Sequence, residues 1–174
     1  MGQDNKWALE SNEYHPYYKR YTQLLKDQPV IDILENQIPT FERFMDSLTE
    51  EKSLFRYAAG KWSVKEVIAH ITDTERVFAY RALVFARNDQ AKLPGFEQDD
   101  YIRDAQIDQR TSKNLREEFI YTRKSNIALF SSLNSEELIR KGFANDSLFT
   151  VRSIVYVIAG HFAHHLKILQ EKYL

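Results

Sequence analysis

The chain has 174 residues, with 24 basic and 25 acidic side chains and no cysteine. That length fits one domain, able to bury about two thirds of its unfolded surface. The near-balanced charge argues against nucleic acid or an anionic membrane as partner, and the lack of thiols excludes disulfides, thiolate metal ligands and a cysteine nucleophile.

Only five glycines and four prolines interrupt the chain, which favours helices over an all-β fold. No signal peptide and no apolar run of roughly 18 residues is present, so a cytoplasmic protein is expected. The Met1-Gly2 start is a poor myristoylation signal, because Lys6 stands where a Ser or Thr is usual. Residues 1–27 read as an arm, rich in aromatics over EYHPYYKRY (13–21). Pro16 predicts that this arm is extended and laid over the rest.

A first helix is predicted over residues 30–48, with Ile31, Leu34, Ile38, Phe41, Met45 and Leu48 at helical spacing. Pro39 lies inside it and should kink it or mark its true start. The clearest start signal is WSVKE (62–66): Ser63 caps, Glu66 reaches back to close a capping box, and Trp62 and Val67 form a hydrophobic staple. This second helix should run to about residue 88. A third covers residues 112–133, through Leu115, Phe119, Thr122, Leu129, Phe130 and Leu133. The fourth covers residues 151–173, with Thr150 as cap and Ile154, Val157, Ile158, Ile168 and Leu169 on one face.

Four such helices predict an all-α four-helix bundle. The link over residues 88–111 is long for an ordinary connection and can run the roughly 30 Å length of a bundle helix. The second and third helices can then lie parallel, whereas the shorter links 49–62 and 134–149 suit antiparallel neighbours. The expected order is up-down-down-up.

The fourth helix carries GHFAHH (160–165), three of the chain's five histidines. On a wheel of 100° per residue centred on Ile154, His161 and His165 fall within about 20° of the centre of the apolar face, and His164 falls at its edge. Two imidazoles one turn apart thus aim at the core, where each neutral ring has a donor and an acceptor to satisfy. His70 flanks the apolar stripe of the second helix, with Thr74 and Arg81 on the same side. With the two helices antiparallel, His70, His161 and His165 lie at similar depth. Three converging neutral imidazoles fit a divalent first-row metal and leave a position open.

Taken jointly, WSVKEVIAHITDTERVFAYRAL, LPGFEQDDY and IAGHFAHHLKILQEKYL resemble the DinB-like superfamily, in its bacillithiol-transferase-like branch. The resemblance implies the same four-helix bundle, with one ligand on the second helix and an HxxxH pair on the fourth: His70, His161 and His165. It further implies a metal-dependent transferase joining a low-molecular-weight thiol to an electrophile, in stress or detoxification, in a protein that is often a homodimer. Zn or Ni is the first expectation for the metal, with Mn and Fe as alternatives.

Two other functions remain open at this level. A metal-dependent hydrolase would use the open position for water, but needs a general base. A non-enzymatic metal-binding module would fill its metal completely, with His164 or a carboxylate as fourth ligand. Glu66 and Asp73 are candidate acceptors for the histidine N–H groups, although a helix cap and a solvated face account for them better. The mouth is expected near the start of the second helix and the end of the fourth, beside Arg56, Tyr57 and Trp62, and in reach of Tyr101 and Asp104. Arg81 reads as a structural residue paired with Glu75 or Asp104.

Overall fold

The computed structural model describes residues 6–25 and 28–174; residues 1–5, 26 and 27, which belong to the arm, lie outside it. The described residues form α1 (Lys19–Thr22), α2 (Val30–Asp46), α3 (Glu50–Ser53), α4 (Val64–Ala86), α5 (Gln98–Asp104), α6 (Ser112–Ser132), α7 (Ser135–Leu138), β1 (Lys141–Ala144), β2 (Ser147–Thr150) and α8 (Val151–Lys172). No helix among them is long and apolar enough to cross a membrane.

The helix starts follow local chemistry. Ser63 Oγ accepts from the Glu66 N–H and the Glu66 carboxylate accepts from the Ser63 N–H, closing the box that starts α4. Thr150 starts α8 in the same way, with Ser153 as its reciprocal partner. The helix α2 begins at Val30 and continues unbroken through Pro39, so Pro39 does not mark its start. Proline leaves the Glu35 carbonyl without its helical donor, and Glu35 is exposed, so water can satisfy it.

Pairwise contacts fix the directions of α2, α4, α6 and α8. Lys65 reaches the Arg110 carbonyl and Arg76 meets Glu118, so α4 and α6 run parallel. Arg116 meets Asp46 and Arg123 meets Gln37, making α2 and α6 antiparallel. Gln37 donates to the Ala159 carbonyl and Phe41 packs on Phe162, so α2 and α8 are parallel. Tyr173 donates to the Trp62 carbonyl while His70 faces His161, which makes α4 and α8 antiparallel. The bundle is therefore up-down-down-up, as expected, with residues 87–111 crossing over between α4 and α6.

Two features differ from the sequence expectation. The arm is not extended: Pro16–Tyr18 is a 3-10 turn that runs into α1. Proline is tolerated in the first turn of a helix, where its missing N–H would go unused, and the His15 ring accepts from the Tyr17 N–H as a cap. The arm does lie over the bundle, with Tyr18 packed on Phe78 and Phe149. Residues 141–150 form a hairpin, turning through Asn145 and Asp146 at φ of 50° and 54°. Asn and Asp tolerate these left-handed angles, which a two-residue hairpin turn requires. The hairpin holds the crossover in place, since Leu93 exchanges backbone bonds with Phe143 and Asn145 at 2.9 and 3.0 Å.

Apolar side chains form two cores, one at each end of the bundle. One gathers Leu34, Phe78, Phe130, Phe149 and Ile154, and the other Phe41, Ile68, Phe119, Phe162 and Leu169. A buried polar network lies between them. Arg123 donates from Nε and Nη2 to Glu75 at 2.8–3.0 Å and from Nη1 to Gln37 Oε1 at 2.5 Å. Gln37 in turn donates to the Ala159 carbonyl at 2.8 Å, two residues before His161. The network thus ties together all four bundle helices beside the histidines.

Candidate metal centre

His70 comes from the second turn of α4, and His161 and His165 from the middle of α8. The capping boxes set where each helix begins, and antiparallel packing brings the three rings to one level. Ring centroids are 4.9 Å apart for His70 and His161, 4.8 Å for His70 and His165, and 4.4 Å for His161 and His165. One nitrogen from each ring lies within 4.8 Å of the others. His70 Nε2 and His161 Nε2 are 3.1 Å apart. Two nitrogens bound tetrahedrally to one zinc at its usual bond length lie roughly 3.3 Å apart, so the spacing fits a shared ion.

Burial sets the protonation state. It pushes the His70 imidazole down to about 4 and that of His165 to about 3, where the neighbouring rings add to the effect. The His161 ring falls well below its ordinary value for the same reason, with His165 and His70 contributing. All three rings are therefore neutral at physiological pH, the form that offers a lone pair to a metal. Without a metal, the His70–His161 pair can share one N–H···N bond at its observed spacing.

Neighbouring side chains hold the rings. Thr74, one turn beyond His70, places Oγ1 3.5 Å from His70 Nδ1, which leaves Nε2 facing the centre. Trp62 packs against the His70 ring at 4.8 Å and Tyr21 against His161 at 5.4 Å. His164 turns aside; it is half-buried and faces Tyr21 at 5.4 Å. Gly160 explains the close approach of the arm, because a Cβ there would collide with the backbone carbonyl of Tyr21.

Glu66 and Asp73 do not reach the histidines. Glu66 serves the α4 cap and pairs with Arg56, and Asp73 pairs with Arg76 at 3.5 Å. Arg81 pairs with neither Glu75 nor Asp104, because Arg123 holds the first and Arg103 the second. It donates instead to the Pro94 carbonyl at 2.8 Å.

The expected mouth exists as a cleft of about 320 Å³ lined by Tyr57, Trp62, Tyr173 and His165. Arg56 lies beside it, bound to Glu66 and Asp108. Tyr101 packs on Phe96, and exposed Asp104 pairs with Arg103. A larger cleft of about 420 Å³ opens on the other side of the rings, and sequence reasoning missed it. Its walls are His70, Thr74, Phe78 and Arg81 from α4, His161 from α8, and tyrosines of the arm, with Gly95–Asp99 of the crossover and Asn145 of the hairpin above. Asp99 lines both clefts. The one sequence signal for the larger cleft was the shared side of His70, Thr74 and Arg81 on α4.

An up-down-down-up bundle with three neutral imidazoles meeting between α4 and α8 has the makings of a helical metal-binding protein. The family model of the DinB superfamily matches residues 33–169, and the chain belongs to that superfamily. Among solved structures it is similar to YfiT from Bacillus subtilis, a probable metal-dependent hydrolase with an unusual four-helix bundle topology. That similarity has a TM-score of 0.67 at 15% identity, over 81% of this chain and 84% of that one, and it shows the fold. No curated protein matches the sequence.

Proposed function

We propose that His70, His161 and His165 hold one divalent transition metal, Zn or Ni first, and that the protein is a thiol S-transferase. The observation that carries this reading is the meeting of three neutral imidazoles, from two helices, between two clefts that admit small molecules. A metal held there would lower the pKa of an incoming thiol, so that thiolate is present at neutral pH. The chain has no thiol of its own, which fits a substrate thiol.

The protein's residues do the positioning. Thr74, Trp62 and Tyr21 hold the ring orientations, and a polar neighbour of a ligand such as Thr74 typically changes metal affinity 10–100-fold. The aromatic walls of Tyr57, Trp62 and Tyr173 suit an apolar electrophile in the smaller cleft. With a haloarene as the electrophile, the sulfur–carbon bond forms, the carbon–halogen bond breaks and halide leaves, while the thiol proton passes to solvent or to Asp99. A homodimer acting in stress or detoxification is the corresponding cellular proposal, and sedimentation of the purified protein checks the dimer.

A second reading is supported by Asp99, an exposed carboxylate on the wall of both clefts. It is a candidate general base for a metal-dependent hydrolase, the role for which the sequence offered no carboxylate. The two readings separate in one assay. Metal-loaded protein is incubated with a thiol panel and a haloarene, and separately with esters and amides without thiol. Conjugate formation above the metal-stripped control supports the transferase. Hydrolysis alone supports the hydrolase, and turnover of neither set contradicts both.

A further inference from the structure

Two arginines are buried in this bundle, and they are treated differently. Arg123 has no exposed side-chain surface and is matched by Glu75, Gln37 and the Leu34 carbonyl. Arg81 is 3% exposed, yet its one hydrogen bond among the described residues runs from Nη2 to the Pro94 carbonyl. Nε and Nη1 have no hydrogen-bond partner among those residues, and none of their carboxylates forms an ion pair with it. The guanidinium instead lies over the Phe78 ring at 4.9 Å and 6.0 Å from that of Phe96, on the wall of the larger cleft. Glu97 and Asp99 share that wall but are exposed and do not pair with it. A buried charge without a counter-charge is costly. The fold meets that cost at Arg123 with a counter-charge, whereas at Arg81 the unbonded edge of the guanidinium opens onto the cleft.

We propose that Arg81 is the anion-binding end of the larger cleft and receives a carboxylate of the small molecule whose other end reaches the three histidines. The planar fork of a guanidinium matches a carboxylate through two parallel hydrogen bonds, and its flanking rings exclude competing water. Arg81 lies eleven positions beyond His70 on α4, roughly 16 Å along the axis. His70, His161 and Arg81 line the same cleft, so one elongated small molecule can span them. The substrate class is therefore a thiol that carries a carboxylate at the far end of a chain spanning the cleft. The carboxylate site stands on Arg81 alone, whereas the assignment of the thiol end rests on the transferase reading.

The test uses metal-free and metal-loaded protein, with binding measured by calorimetry. Octanoate should bind metal-free protein at least tenfold more tightly than octanamide, the scale of a charged hydrogen bond. Arg81→Gln should abolish that preference while the metal content stays unchanged. If the glutamine variant does not fold, Arg81→Lys, which keeps the charge and loses the fork, should still reduce the preference. Equal affinity for acid and amide, absence of binding by both, or a preference that survives the substitution overturns the anion site. In metal-loaded protein, 8-mercaptooctanoate should bind more tightly than octanoate. If it does not, while the octanoate preference holds, the anion site stands and the thiol reading fails.

Discussion

Lowering the pH should destabilise the metal-free protein through its three central imidazoles. In the unfolded chain each histidine titrates near 6.5. In the folded protein His70 is pushed down to about 4 and His165 to about 3, and His161 lies well below its ordinary value. Between these limits the unfolded chain takes up protons that the folded one refuses, so stability falls as pH falls. At pH 5.5 each unfolded imidazole is about 90% protonated, which costs the folded state about 1.4 kcal/mol per ring. Three rings give about 4 kcal/mol relative to pH 7.5, a large part of a typical domain's stability. Urea unfolding at the two pH values measures it directly, and the melting temperature should drop by on the order of 10 °C. His165→Gln should remove about a third of the effect. A loss under about 1 kcal/mol between pH 7.5 and 5.5, or one unaffected by His165→Gln, would refute the idea that the rings are held neutral by burial.

Three further substitutions probe the supports of the site. Thr74→Val removes the hydroxyl facing His70 Nδ1 and should weaken metal affinity about tenfold, with little change in urea stability, as measured by competition with a chelator. Arg123→Met strands the buried Glu75 carboxylate and should cost about 3–5 kcal/mol in urea unfolding; an effect below about 1 kcal/mol would show that water reaches Glu75. Gly160→Ala forces the Tyr21 carbonyl away from α8, and should speed proteolysis within the arm while leaving the bundle's far-ultraviolet circular dichroism intact.

Much of the fold is written in short-range signals. The Ser63–Glu66 box and the Thr150 cap sit where the two site-bearing helices begin, so the depth of His70 could be counted from the start of its helix and that of His165 from the end of the other. The helical wheel then separated His161 and His165 from His164, which the structure places facing Tyr21 and outside the cluster. What the sequence hid depends on partners far apart in the chain. Glu75 belongs to Arg123, 48 residues away, and no local pattern distinguishes that pairing from one with Arg81. Arg123 is charged within a polar stretch of α6, so its complete burial follows only from the meeting of four helices. The larger cleft exists because the arm, the crossover and the hairpin converge on α4, and none of these contacts has a sequence period. Asn145 and Asp146, two residue types that tolerate left-handed angles, are a local sequence mark of the turn inside the 134–149 link, though a weaker one than a pair containing glycine.

Metal analysis of the purified protein and its single-histidine variants tests the account most directly. Supplied with Zn or Ni, the wild type and His164→Ala should each carry close to one metal per chain after gel filtration. His70→Ala and His165→Ala, shown folded by circular dichroism, should carry almost none. Retention of the metal by those two variants, or failure of the wild type to take it up, would contradict the three-imidazole centre and leave a helical scaffold without its chemistry.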